Sequence, residues 1–178
     1  MKNSIFLLFL LLLALTINNY SQWQISSTGL RSESVSALCV RGNYLLAGTS
    51  GKGIYLSSNN GVNWVQVSPI IGVIKDIISK GDNFYAATLN GIYMSSDNGS
   101  TWVLTSPVDL NVYALAVKGN LIFAGTQNNN FEGNLYVSSD NGTSWEKTSL
   151  VNQNIYSVGT NSTRVYAAGF RLNIRSAQ

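Results

Sequence analysis

The chain has 178 residues, with 8 acidic and 11 basic side chains, no histidine and one cysteine. That length suits about one domain, and 45% hydrophobic against 11% charged residues excludes a disordered polyelectrolyte. The missing histidine excludes imidazole acid–base and metal chemistry, the lone Cys39 excludes internal disulfides and thiolate metal clusters, and lysines and arginines scattered singly exclude the clustered stripe that nucleic-acid binding needs.

Lys2 precedes an apolar run, Ile5 to Ile17, broken only by Thr16 and closed by Asn18, Asn19, Tyr20 and Ser21. This predicts a secretory signal over residues 1–21, cut after Ser21. The run is shorter than the roughly 20 residues of a spanning helix; a retained amino-terminal anchor is the alternative. Export places Cys39 in an oxidising compartment without a partner, and its apolar neighbours Val35 to Val40 predict a buried, inert thiol.

Residues 22–178 read as one unit repeated. Tyr55-Leu-Ser-Ser-Asn-Asn-Gly-Val-Asn-Trp64 recurs from Tyr93 to Trp102 and again from Tyr136 to Trp145. Two short apolar runs precede each copy. Val35–Val40, Ile74–Ile78, Val112–Val117 and Ile155–Gly159 form the first set; Leu45–Thr49, Phe84–Thr88, Ile122–Thr126 and Val165–Gly169 form the second. Gly42-Asn43, Gly81-Asp82-Asn83, Gly119-Asn120 and Asn161-Ser162 punctuate them as turns. β-Branched and aromatic runs bounded by Gly and Asn are strand signals, and four strands in each unit of about 40 residues is the pattern of a β-propeller blade. The predicted blades cover 35–68, 73–106, 112–149, and 155–178 together with 22–28, where Trp23-Gln-Ile-Ser-Ser27 reads as an orphan outer strand. The fold class is therefore an all-β propeller, four-bladed with one blade split between the termini, or a fragment of a larger ring.

Within the recurring hairpin, the carboxylate of Asp97 can accept backbone N–H bonds, Gly99 supplies a positive φ and Trp102 packs on the blade. Ser95, Asp97, Gly99 and Trp102 recur as Ser138, Asp140, Gly142 and Trp145, and as Ser57, Asn59, Gly61 and Trp64, where Asn replaces Asp. The motif resembles the Asp-box, or BNR, repeat of sialidases, sortilin-type receptors and photosystem II assembly-factor-like propellers. The resemblance implies structural hairpins between third and fourth strands, on the face away from the usual ligand site. Function is a separate matter from fold.

On the opposite face fall the blade-joining loops and those joining second to third strands. Asn129, Phe131 and Glu132, in the longest of these, Asp109 and Arg171 are the candidate binding residues. Asp109 with Glu132 is the only carboxylate pair outside the boxes considered for glycoside hydrolysis, which needs two. Phe170-Arg-Leu-Asn173 only weakly resembles the sialidase arginine segment and falls after the last box. The expectation is a secreted or cell-surface, non-catalytic binding or assembly scaffold for a glycan or extracellular protein. It needs no cofactor or metal, leaves the membrane after signal cleavage, and self-associates if the ring is incomplete. The alternatives are a sialidase-like glycoside hydrolase and an inactive propeller fragment.

Overall fold

A computed structural model describes residues 28–30, 34–67, 70, 72–105, 111–127, 133–151 and 153–170. The predicted signal, the strand expected over 23–27 and the third strand expected over 173–176 lie outside these residues.

The described chain is all β. Blade 1 comprises β1 (Val35–Arg41), β2 (Tyr44–Thr49), β3 (Ile54–Ser57) and β4 (Val65–Val67). Blade 2 comprises β5 (Ile74–Lys80), β6 (Asn83–Thr88), β7 (Gly91–Ser95) and β8 (Val103–Leu104). Blade 3 comprises β9 (Asn111–Lys118), β10 (Leu121–Gln127), β11 (Asn134–Ser138) and β12 (Glu146–Val151). The described part of blade 4 is the hairpin of β13 (Asn154–Thr160) and β14 (Val165–Phe170). Each sheet is an antiparallel meander in sequence order. The arrangement is a β-propeller.

Register makes the blades superimposable. Val35 pairs with Thr49, Ile74 with Thr88, Val112 with Thr126 and Ile155 with Gly169, and a bulge follows each of these pairs. Thr49, Thr88 and Thr126 then fold their hydroxyls back onto the carbonyls of Gly53, Gly91 and Asn134 at 2.8, 2.9 and 3.0 Å, fastening each turn into the third strand.

The core lies in the seams between blades. β1 packs on β5, β5 on β9, and β9 on β13. Leu46, Ile54, Ile74, Ile77, Phe84 and Trp102 fill the first seam, and Tyr85, Ala87, Ile92, Val112, Leu115 and Ile122 the second. Size is matched across each seam. A Cβ on Gly48 would meet Ile74 Cγ2 at 2.4 Å, and one on Gly125 would meet Ile155 Cγ2 at 2.5 Å. At the same repeat position in the second seam, Ala87 lies in one buried cluster with the smaller Val112. Among the described residues no such packing joins blade 4 to blade 1, and the ring is open there.

Arg41, Lys80 and Lys118 close the inner strands of three blades, and each reaches the next blade. Arg41 donates to the Gly81 carbonyl at 3.0 Å and Asn98 Oδ1 at 2.6 Å and stacks 4.2 Å from the Phe84 ring centre. Lys80 donates to Asn141 Oδ1, and Lys118 to the Thr163 carbonyl at 2.9 Å. Basic residues that look scattered in sequence thus clamp successive seams. Cys39 is buried in the first seam. Burial pushes its thiol up, against the opposing hydrogen bond to Ser79, as an unreactive thiol requires.

Candidate functional site

The two ends of the blades differ in their duties. At one end sit the hairpins between third and fourth strands. Ser95 Oγ donates to Asp97 Oδ1 at 2.8 Å and accepts from Gly99 N–H at 2.9 Å. Thr101 donates its N–H to Asp97 Oδ1 at 2.8 Å and its hydroxyl to Oδ2 at 2.6 Å. Ser138, Asp140, Gly142 and Ser144 repeat the network at 2.6–2.9 Å. With Asn59, the bonds from Ser57 and Asn63 N–H to Oδ1 remain at 3.0 and 2.9 Å, but an amide nitrogen replaces the second acceptor oxygen. Asn60, Asn98 and Asn141 take φ of 57°, 61° and 59°, a left-handed conformation Asn tolerates. The glycine that follows packs on the preceding blade: a Cβ on Gly99 would lie 2.8 Å from Leu46, and one on Gly142 2.9 Å from Tyr85. Trp102 and Trp145 donate Nε1–H to the carbonyls of Gly99 and Gly142 at 2.9 and 3.1 Å. Trp64 differs, because its Nε1 is buried without a partner while its backbone N–H donates to the Thr28 carbonyl at 2.9 Å.

These bonds hold Asp97 and Asp140 at about 2, the Thr101 and Ser144 hydroxyls contributing most. Both carboxylates are exposed, so solvent screens the effect. A carboxyl whose pKa is depressed by folding stabilises the fold above its unfolded value near 3.9 and loses that contribution as pH falls toward the folded value. Urea midpoints are therefore expected to drop between about pH 4 and pH 2, and to drop less in Asp97→Asn/Asp140→Asn. An equal acid response in both proteins would contradict this. Ser95→Ala strands the buried Gly99 N–H and is expected to cost about 1–3 kcal/mol in the same assay; a neutral outcome would remove the hydroxyl from the network.

The other end carries a different set. The residue inside each inner-strand bulge is Ser36, Lys75, Tyr113 and Tyr156 in blades 1 to 4. These positions line up across the inner strands and interact pairwise in two places. Lys75 Nζ lies 5.2 Å from the Tyr113 ring centre. Tyr113 and Tyr156 meet edge to face, centroids 5.0 Å apart and planes at 82°. Burial and the neighbouring Tyr156 push the Tyr113 hydroxyl pKa up. Ser36, itself exposed, instead donates across to blade 2, to the Ile74 carbonyl at 2.6 Å. Tyr156 presents part of its ring to solvent. Asn154, two residues before it, is fully buried with neither Oδ1 nor Nδ2 partnered, a costly state for a buried amide.

Asp76 follows Lys75 and lies half buried, its Oδ2 accepting from Leu115 N–H at 2.8 Å. Burial raises its pKa, against backbone N–H bonds from Leu115 and Ile77. Sequence reading missed Asp76 and the row of Lys75, Tyr113 and Tyr156. The available signal was the Lys75-Asp76 pair interrupting an otherwise apolar strand start. The candidates Asp109, Asn129, Phe131, Glu132 and Arg171 lie outside the described residues. Gln127 pairs with Asn111 at the start of β9, the end of that strand on which Tyr113 lies. Among the described residues no group of three His, Cys, Asp or Glu side chains could hold a metal ion. No helix among them is long and apolar enough to cross a membrane.

No family model matches the chain, and no curated protein matches it significantly. Solved structures do. The computationally designed Ika4 protein is similar at TM-score 0.67 and 10% identity, over 84% of this chain and 93% of that one. An ancestral GH74 enzyme is similar at TM-score 0.65 and 22% identity, over 83% of this chain and 23% of that one. The extracellular domain of BT4673 from B. thetaiotaomicron gives TM-score 0.64 and 17% identity, over 85% of this chain and 21% of that one. The chain thus spans under a quarter of the GH74 and BT4673 chains, and likeness at these identities establishes the β-propeller fold.

Proposed function

We propose that this chain is an exported, non-catalytic β-propeller that binds a glycan on the inner-strand row formed by Lys75, Tyr113 and Tyr156. The observation that carries this reading is the edge-to-face tyrosine pair beside a lysine, with Tyr156 open to solvent. Sugar rings offer apolar C–H faces to aromatic rings and hydroxyls to cations. Export rests on Lys2 and the apolar run Ile5 to Ile17. Among the similar structures, the BT4673 domain is extracellular, which is compatible with an exported chain. Asp109, Asn129, Phe131, Glu132 and Arg171 remain part of the proposal, as loop residues that extend the site. The boxes of Ser57, Asn59, Gly61 and Trp64 and their repeats serve the fold.

A glycan array probed with the wild-type protein and with Tyr113→Ala/Tyr156→Ala tests the reading. Each aromatic ring that stacks on a sugar should contribute about 1 kcal/mol or more, so the double variant is expected to lose binding at least about tenfold. Equal binding by both proteins would displace the site from this row.

One observation favours a second reading, glycoside hydrolysis: the raised pKa of Asp76 suits a proton donor. That chemistry needs a second carboxylate, for which Asp109 and Glu132 are the candidates. Aryl-glycoside cleavage abolished by Asp76→Asn would establish this reading in place of the first.

A further inference from the structure

The inner strands carry the cationic side chains Arg41, Lys75, Lys80 and Lys118. Three of them are committed to the seams. Arg41 donates to the Gly81 carbonyl and Asn98 Oδ1, Lys80 to Asn141 Oδ1, and Lys118 to the Thr163 carbonyl. Lys75 differs. It lies half-buried at the opposite end of β5 from Lys80, and its ammonium rests over the Tyr113 ring. Among the described residues no carbonyl, hydroxyl or carboxylate engages that ammonium. The acid beside it in sequence does not pair with it, because Asp76 turns its Oδ2 to the Leu115 N–H on β9, 2.8 Å away. A half-buried ammonium with a ring for company has lost water without gaining a counter-ion, a cost that an anionic partner offsets.

We propose, resting on the reading of this row as a glycan site, that its ligand is an acidic glycan and that Lys75 receives the carboxylate or sulfate group. β9 packs between β5 and β13, so Lys75 and Tyr156 reach the Tyr113 ring from the two neighbouring strands. A short oligosaccharide that lays a sugar face on the tyrosines thereby brings a charged substituent to the lysine.

The two kinds of side chain act on different parts of one ligand. The tyrosine rings take apolar C–H faces, which neutral and acidic sugars share. The ammonium separates the two classes, because its hydrogen bond to an anion is charge-assisted and one to a sugar hydroxyl lacks the anionic acceptor. Lysine is a compact point charge rather than a planar fork, so a carboxylate and a sulfate both suit it without a fixed docking angle.

The experiment uses ligands in matched pairs. A galacturonic-acid tetrasaccharide and its methyl ester differ in charge at the same length, as do a sulfated galactan tetrasaccharide and its desulfated form. Each is titrated calorimetrically into the wild type, Lys75→Gln, Lys75→Arg and Tyr113→Ala/Tyr156→Ala. In at least one pair the wild type is expected to bind the charged member about tenfold or more tighter than the neutral one, the effect of one charge-assisted hydrogen bond. The pair that shows it identifies carboxylate or sulfate as the group received. Lys75→Gln is expected to bring that ratio close to one, and Lys75→Arg to keep it. The ratio should also shrink as salt is raised from about 0.01 M to about 1 M, where the screening length falls from about 30 Å to about 3 Å. A wild type that binds neither charged sugar, equal binding within both pairs, or a ratio unchanged in Lys75→Gln would overturn the acidic ligand while leaving a neutral glycan on the row. Binding unchanged in the tyrosine double variant would instead overturn the row as the glycan site, and the acidic ligand with it.

Discussion

Tyr85→Ala is expected to destabilise the protein by about 3–5 kcal/mol, the range for emptying a buried aromatic site. Tyr85 is fully buried in the second seam among Ala87, Ile92, Val112, Leu115 and Ile122. Its ring carries the Gly142 turn of the next blade, and its hydroxyl donates to the Asn141 carbonyl. One truncation therefore opens a cavity and unseats a hairpin of the neighbouring blade. Tyr85→Phe keeps the ring and should cost only about 1 kcal/mol. Urea denaturation of both variants separates packing from hydrogen bonding. Equal losses in the two would assign the effect to the hydroxyl instead and contradict the seam account.

Gly48→Val is expected to cost about 3 kcal/mol, the upper end of ordinary overpacking. A Cβ there would lie 2.4 Å from Ile74 Cγ2 and 2.7 Å from Ile74 Cβ. Neither side chain has room to move, since Ile74 is fully buried on an inner strand. The milder Gly48→Ala should be rescued by Ile74→Val, which recreates the Ala87–Val112 pairing of the second seam. A double-mutant cycle on thermal or urea unfolding should show favourable coupling of about 1 kcal/mol. Additive losses would mean that the glycine–isoleucine match is incidental.

The blades were legible in the sequence because their local chemistry is self-contained. Ser95, Asp97, Gly99 and Thr101 bond to one another within seven positions, so the motif that reveals the hairpin is the set of contacts that builds it. Turn glycines such as Gly42, Gly81 and Gly119, all at φ 57°, likewise announce strand ends. What lies between blades was not legible. Lys75, Tyr113 and Tyr156 come together from equivalent positions a full repeat apart, and the residue type differs from one blade to the next. Periodicity finds what repeats, and this row consists of what does not. Asp76 stayed hidden for the same reason, since blades 1, 3 and 4 have Ala37, Ala114 and Ser157 there. The clamp residues Arg41, Lys80 and Lys118 do recur, but their reach to the next blade becomes visible only in three dimensions.

The same distinction separates fold from function. Residues shared by the blades are committed to turns and seams, and removing them is expected to change stability. Residues peculiar to one blade at the bulged start of the inner strands do not share that repeated duty, and the proposed glycan site is built from them. The row at Lys75, Tyr113 and Tyr156 meets that description, and the buried unpartnered amide of Asn154 adjoins it in sequence.

Recognition without cleavage is tested most directly by one titration. An oligosaccharide selected on the array is titrated calorimetrically into the wild type and into Tyr156→Ala, and the recovered sugar is sized by chromatography after prolonged incubation. The account predicts saturable binding by the wild type, at least about fivefold weaker binding by the variant, and sugar of unchanged length. Shortened sugar, or equal affinity in the two proteins, would contradict it.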